Sequence, residues 1–506
     1  MIGLPFSIAP ASPGDTFASL GDTRDVTDRA GKGHAFTAKG HGIGSQGHTL
    51  PRQRSQTAGF APEHCHTCHT PPLVQAGGKG GSMRSRSRSP WFALAVLASI
   101  ATVGFIDRIV VNVLVEPVKA EFGLTDLQVS LMAWAFALLN VVGGLVTARF
   151  AERVRRLTLI SAGVVLWSLA TALCGAAASW GQLLAARMGV GLGEAIGLPS
   201  NQSVISDYFP ANRRGFAISI LLLSPPLGAF IGFVGGGWIA QELGWQATFL
   251  IAAIPGFLLG FVAWFCVKEP PRGQFDPGAG EDVPPFSAVL SRLFRMPSAR
   301  NLVIGSFLAS GLSYAMNFFI ASLLIRRFGI SLGEAGLYAG LLASLPAALS
   351  ILGAGWLGDR LGERRPAAYA LIPGAMLLAG GPLYAIGLLQ TELWLLLALV
   401  SVATFLTLGY LGITYASVQN LMHPRMRATA SALLSGVYTV AGGLGPSLLG
   451  ALSDTLAPTY GAAQGLALAM AAAGAVYVWA AVHYGLAARH MGSDLAKIRA
   501  GVRVGV

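Results

Sequence analysis

The chain has 506 residues, of which 53% are hydrophobic and only 11% charged, and its mean hydropathy is +0.59. A soluble domain carries about 25% charged residues, so this composition leaves too little polar surface for a water-facing exterior. The net charge of +12 raises the question of a nucleic-acid partner, and the placement of the cations along the chain answers it.

Residues 1–82 read differently from the rest. They are rich in Gly, Ser, Thr, Pro and His and hold six of the nine histidines. No apolar run there can build a core, so a disordered cytoplasmic tail is expected. A signal peptide is excluded, because no apolar h-region follows a basic start. Cys65, Cys68 and the flanking His64, His66 and His69 fit either a zinc site or the C-x-x-C-H spacing of c-type haem attachment. One CxxC lacks the second ligand pair of structural zinc, and haem attachment needs the opposite side of the membrane. An incidental cluster is therefore the preferred reading, with neither metal nor cofactor expected. Met83 opens RSRSRSPWFALAVL, a short basic patch followed by a span. The stretch before Met83 is thus expected to be dispensable and no part of the native fold.

Twelve apolar segments follow, near 91–115, 126–149, 157–178, 181–205, 215–240, 247–267, 301–325, 334–357, 366–390, 393–419, 428–452 and 463–488. Each runs about 20 residues, the length that a ~30 Å hydrocarbon core demands. Helices satisfy their own backbone groups where lipid offers no partner, and the two-residue alternation of barrel strands is absent. The expected fold is an all-α membrane protein with twelve transmembrane helices in two six-helix halves. The halves occupy 83–267 and 301–490, joined by a Pro-rich cytoplasmic linker, 268–300, and followed by a cytoplasmic tail, 491–506. Cys174 and Cys266 fall inside spans, where a small buried hydrophobe is the expected role.

Lys and Arg fix the orientation. With the N-terminus cytoplasmic, the inner face receives 23 of them and the outer face only Lys119, Arg326 and Arg327. Both termini are therefore expected in the cytoplasm of a multi-pass cell-membrane protein (the inner membrane in a Gram-negative bacterium). The same bias accounts for most of the net charge, so no nucleic-acid partner is needed.

The halves repeat. FAERVRR (Phe150 to Arg156) follows the second span, and GWLGDRLGERR (Gly355 to Arg365) follows the eighth. Pro210-Ala-Asn-Arg-Arg-Gly-Phe-Ala matches Pro424-Arg-Met-Arg-Ala-Thr-Ala with a one-residue slip. Internal repeats of this kind mark transporters built from two related halves. A carboxylate beside a helix end can pair with arginines of a neighbouring helix and close that face. Glu152, Arg153, Asp359, Arg360, Arg213 and Arg214 are the candidates for such a cytoplasmic gate.

GWLGDRLGERR resembles the G-x-L-x-D-R-x-G-x-R-R signature of major facilitator transporters; in the first half Glu152 stands where Asp is usual. Asp107-Arg108, LTDLQVSLM, RMGVGLGEA (Arg187 to Ala195), SDYFPANRRGFAIS and GWQATF resemble the Spinster-like branch. The resemblance spans about residues 90–490 and implies a major facilitator fold and secondary active transport, not enzymatic activity.

Four ionisable residues lie inside spans: Asp107, Arg108, Arg187 and Glu194. Each costs about 2.5–3.5 kcal/mol at a helix centre. At 1.5 Å per residue, Asp107 and Arg187 fall at similar depth, about 12 and 9–10 Å from the outer edge, with Glu194 on the Arg187 face and about 10 Å deeper. Pairing of Arg187 with Asp107 is thus expected, with Glu194 as a second acid to which the guanidinium can switch. A freed carboxylate can take a proton, whereas Arg stays charged. The resemblance implies the same: acids of the first and fourth helices and the helix-four Arg serve proton coupling in Spinster-like transporters. The competing reading is a static ion pair that fixes helix register.

Asn112, Asn140, Tyr314, Asn317, Tyr410, Tyr415, Gln419 and Tyr438 are candidates for the wall of a central cavity, although each could serve helix packing instead. Among glycines, Gly228 and Gly232 form a GxxxG, and Pro225-Pro226, Pro346 and Pro446 are expected to break or kink their spans. The expected function is proton-coupled transport, with a lipid-like substrate implied by the Spinster resemblance and with membrane lipids and protons as further partners. A carrier of a small organic anion or drug is the alternative, and a membrane sensor without transport a third reading. A monomer is expected.

Overall fold

The computed structural model describes residues 89–150, 154–197, 199–272, 285–362 and 364–499. The CxxC cluster and the stretch before Met83 lie outside them. Within them the chain is helical and crosses the bundle twelve times.

The first span is α1 (Pro90–Val113), continued by the short α2 (Val115–Phe122). Pro90 sits at the first helical turn, where its missing N–H costs nothing, and Ser89 Oγ caps the Trp91 N–H at 3.3 Å. α3 (Asp126–Phe150) and α4 (Arg156–Gly175) are the second and third spans. The fourth is α5 (Trp180–Gly197) with α6 (Pro199–Tyr208). It is too polar to stand out by hydropathy, because it carries Arg187 and Glu194.

The fifth and sixth spans, α7 (Ala211–Leu222) and α8 (Ser224–Cys266), run almost without interruption. Pro225 and Pro226 start α8, and the chain reverses at Gly244, whose φ of 86° and ψ of 165° break the helix. The second half starts with the ten-residue α9 (Phe286–Arg295). Then come α10 (Pro297–Phe328), α11 (Leu332–Gly362), α12 (Ala368–Leu388), α13 (Leu393–Leu408) with α14 (Tyr410–Asn420), α15 (Arg427–Tyr460), and α16 (Ala462–Ala473) with α17 (Ala475–Arg499). Pro346 and Pro446 lie inside α11 and α15 without splitting them.

The expected repeat shows in the backbone as well. Gly123 and Gly329, both at φ 64°, terminate the first crossing of each half. Gly461, at φ 81° and ψ 159°, reverses the chain between the last two spans as Gly244 does in the first half. Positive φ is sterically free only for glycine.

The halves meet along α8 with α11 and along α3 with α15. Side-chain hydrogen bonds between the halves cluster at the end away from Pro90. At the Pro90 end Leu138, Val142 and Val146 of α3 and Leu345, Leu349 and Leu352 of α11 are exposed. The bundle is therefore closed at one end and open at the other.

Candidate functional site

The GxxxG of α8 packs on α1: a side chain at Gly228 would meet Phe105 Cβ, and one at Gly232 would come within 3.2 Å of the Ile106 carbonyl. This contact holds the α1 turn that carries Asp107 and Arg108. On the other flank α5 presses against α3, where a Cβ at Gly191 would collide with the Phe136 carbonyl. Asn140 Nδ2 donates to the Gly191 carbonyl at 3.2 Å and fixes the register.

The four intramembrane charges meet between these helices. Asp107, Arg187 and Glu194 are buried, at 1%, 3% and 1% exposure. Arg108 is the member open to the interior cleft, with 25% of its side chain exposed. Its Nε donates to Glu194 Oε2 at 2.6 Å, and its Nη2 also contacts that oxygen. Arg187 does not pair with the Asp107 carboxylate as expected. Its Nη1 donates instead to the Asp107 main-chain oxygen at 3.4 Å, while Asp107 Oδ2 accepts from the Thr171 hydroxyl at 3.3 Å. Helical rise gives depth but not azimuth. It places Asp107 beside Arg187 without revealing that neighbouring Arg108, about 100° further round, reaches the deeper acid.

Three buried atoms of this cluster, Asp107 Oδ1, Arg187 Nε and Glu194 Oε1, have no hydrogen-bond partner. Phe136, absent from the sequence reading, lies between the cations: the Arg108 and Arg187 guanidiniums sit 5.0 and 5.6 Å from its ring centroid. Phe105 flanks Arg108 at 5.3 Å. An aromatic face attracts a guanidinium, so one ring serves both arginines.

The cavity candidates divide. Tyr314 is 42% exposed and lies within electrostatic reach of Arg108 across the halves. Tyr410 and Tyr415 pack edge-on around Tyr438 at 6.3 and 5.6 Å. Asn317 Nδ2 donates to the Ser313 carbonyl of its own helix at 2.9 Å, and Gln419 Nε2 to Ser431 Oγ at 3.0 Å, so both serve packing. Asn112 is buried.

Of the gate candidates, Glu152 and Arg153 lie outside the described residues. Asp359 and Arg360 are exposed, and Arg360 stacks on Trp356 of its own helix at 5.3 Å. Arg213 is exposed and Arg214 half-buried. The structure forms no ion pair between Asp359 and Arg213, in keeping with an open face there.

Two ion clusters went unrecognised in the sequence. At the open end Arg156 Nη1 bonds Asp207 Oδ2 at 2.5 Å and Ser203 Oγ at 2.8 Å, and its Nε meets Glu269 Oε1 at 3.3 Å. This clasp ties α4, α6 and the end of α8 within the first half. At the closed end Arg326 of α10 grips Glu116 at 2.7 Å and Asp126 at 2.6 Å. Lys119 adds a contact to Asp126 at 2.5 Å, and Ser453 Oγ one at 2.7 Å. Asp454 accepts the Asp126 and Leu127 N–H groups at 2.9 and 2.8 Å. Arg326, Ser453 and Asp454 belong to the second half, so this latch spans both. The sequence does carry a signal for it: the few cations of that face stand among several acids.

Residues 96–446 match the family model described as Major Facilitator Superfamily. The chain is 31% identical over 412 residues to an "MFS-type efflux pump" of Mycolicibacterium smegmatis, covering 79% of this chain and 94% of the relative. It is 30% identical over 196 residues to a "Probable sphingolipid transporter spinster homolog 1" of Arabidopsis thaliana, covering 37% and 40%. Its fold is similar to the crystal structure of a bacterial homologue of the human lysosomal transporter Spinster, in an inward-facing and unoccupied conformation. The TM-score is 0.74 at 29% identity, with 80% of this chain and 98% of that chain covered.

Proposed function

The chain belongs to the Major Facilitator Superfamily and is a Spinster-like transporter, and from that premise we propose that it moves an amphipathic, lipid-like small molecule by proton-coupled alternating access. The observation that carries the coupling is the half-buried Arg108 holding the fully buried Glu194, beside the buried Asp107 and Arg187. An anionic group entering from the open end meets Arg108 first. Drawing Arg108 away leaves Glu194 as an uncompensated charge in a low-dielectric site, and neutralising it by a proton is the cheapest remedy. Arg187, about two turns away on the same helix, and Asp107 then receive the redistributed charge. Two acids and two arginines share this one cluster, whereas a static pair needs only one of each, so the exchange reading is favoured. The cytoplasmic face is the open one in this reading, in accord with the distribution of Lys and Arg.

The lipid-like substrate is supported by the cavity flank, where Phe105, Phe136 and Tyr314 offer aromatic surface around one cation, and by the Spinster-like relatives. A second reading, extrusion of a small drug-like molecule, is favoured by the efflux pump that the chain matches over most of its length. Both are tested in proteoliposomes containing a pH-sensitive dye, with fluorescent lysophosphatidylcholine or ethidium as probe. Lysolipid movement that carries protons is expected. Glu194→Gln should reduce pH-driven uptake to the level of empty liposomes while probe exchange without a gradient persists. Unchanged pH dependence in that variant would sink the coupling, and proton flux with ethidium alone would favour the second reading.

A further inference from the structure

The helix α9 is the most amphipathic element among the described residues, and its apolar side is only half covered. On a helical projection at about 100° per residue, Val289, Leu293, Phe286, Leu290 and Phe294 form one continuous apolar arc of about 140°. Val289 and Leu293 are buried against α10 and α15, at 0% and 5% exposure. Phe286, Leu290 and Phe294 are exposed at 49%, 37% and 54%. Behind Phe294 a groove of about 60 Å³ runs between α9, α10 and α15, floored by Val303, Leu433 and Val437, with Arg300 at its rim. That space accommodates a few methylenes and no whole substrate.

The cations complete the pattern. Arg295 follows Phe294 about 100° beyond the exposed end of the arc, Arg292 lies beyond its buried Val289 edge, and Arg300 stands exposed one turn into α10. Among the described residues none of the three has a carboxylate partner, and Arg292 Nε is buried without a hydrogen bond. Elsewhere at this end Arg156 is fully engaged by acids. α9 precedes the α10 end opposite the Arg326 latch, so it lies at the open face of the bundle, where a bilayer surface meets the protein.

We propose that α9 and this groove bind an anionic phospholipid of the leaflet at the open face. One acyl chain lies along Phe286, Leu290 and Phe294 into the groove, and the phosphate is held by Arg295 and Arg300. A helix with a large apolar face and basic flank lies in the interface plane, and each basic residue near an anionic surface adds attraction. The occupant is a lipid rather than a free anion because the groove and the exposed arc are apolar while Arg300 stands at the groove rim, and only an amphipath satisfies both.

The test uses the full chain in nanodiscs. Phe294→Trp supplies a reporter at an exposed position, read as the difference from the parent protein. Dibrominated phosphatidylglycerol, diluted in phosphatidylcholine, should quench the reporter more strongly than dibrominated phosphatidylcholine at the same mole fraction. Neutralising both arginines together, Arg295→Gln with Arg300→Gln, should remove that preference, at about fivefold in relative affinity per charge. These are surface changes, and retained far-UV circular dichroism separates lost binding from lost folding. Equal quenching by the two lipids, a preference that survives the double substitution, or displacement of the lipid by millimolar glycerol phosphate would each overturn the proposal.

Discussion

Arg108 and Glu194 form a pair with unequal access, since the cation reaches the cleft and the acid does not. That inequality gives the pair a direction: a ligand can compete for Arg108 without ever touching Glu194. Phe136 keeps the exchange inexpensive by offering its face to both guanidiniums, so neither arginine loses all compensation when an acid changes partner. A cation–π contact in a desolvated site is worth about 2 kcal/mol. Phe136→Leu should therefore slow proton-coupled uptake roughly thirtyfold at unchanged expression, whereas Phe136→Tyr should retain most of the rate. Initial rates in proteoliposomes under a fixed pH gradient check this, and equal rates for Leu and Phe would deny the ring its role. The ionisable quartet was legible in the sequence because charge inside an apolar span is conspicuous. The pairing was not, since two adjacent residues such as Asp107 and Arg108 share a depth and differ only in direction. Phe136 gave no signal at all, because an aromatic residue in an apolar helix looks like any other.

At the scale of helices, glycine sets how closely α5 can approach α3. The Phe136 carbonyl lies where a Gly191 side chain would begin, and that approach brings the Phe136 ring over Arg187, one helical turn from Gly191 on α5. Gly191→Val should push the helices apart at a cost of about 1–3 kcal/mol, lowering the thermal midpoint of the purified protein by a few degrees. It should also uncouple proton from substrate flux. A variant as stable and as tightly coupled as the parent would show that α5 can shift freely. The spans themselves were readable from apolar runs of membrane length, with ends misplaced by a few residues. The fifth and sixth emerge as one nearly continuous helical stretch because a single residue, Gly244, makes the reversal. The polar stretch from Gln241 to Gln246 marked the boundary, but only comparison with Gly461 in the other half reveals the one-residue break as a repeated device.

Across the whole molecule the closed end is held by a charge cluster that spans both halves. Arg326 is 9% exposed in its side chain and binds two acids of the other half, so opening this end must strip a nearly buried guanidinium of both partners. Residues 116, 126, 326 and 454 are far apart in sequence, and no spacing rule joins them, so the latch becomes visible only when the halves are docked. Hydrogen bonds to charged groups contribute about 1.5–3 kcal/mol each. Removing Arg326 also leaves Glu116 and Asp126 facing each other without their shared cation, which Lys119 only partly offsets. Arg326→Ala should therefore shift the protein towards opening at this end by tenfold or more. Ser130, fully buried and 3.3 Å from Ser447 across the halves, is the position at which to see it. With Ser130→Cys as reporter, a membrane-impermeant methanethiosulfonate reagent should label the Arg326→Ala protein at least tenfold faster from that face. Arg326→Lys should fall between, because an ammonium lacks the fork that serves two carboxylates. Labelling as slow as in the parent would mean that packing of α8 on α11 and α3 on α15 holds this end shut unaided.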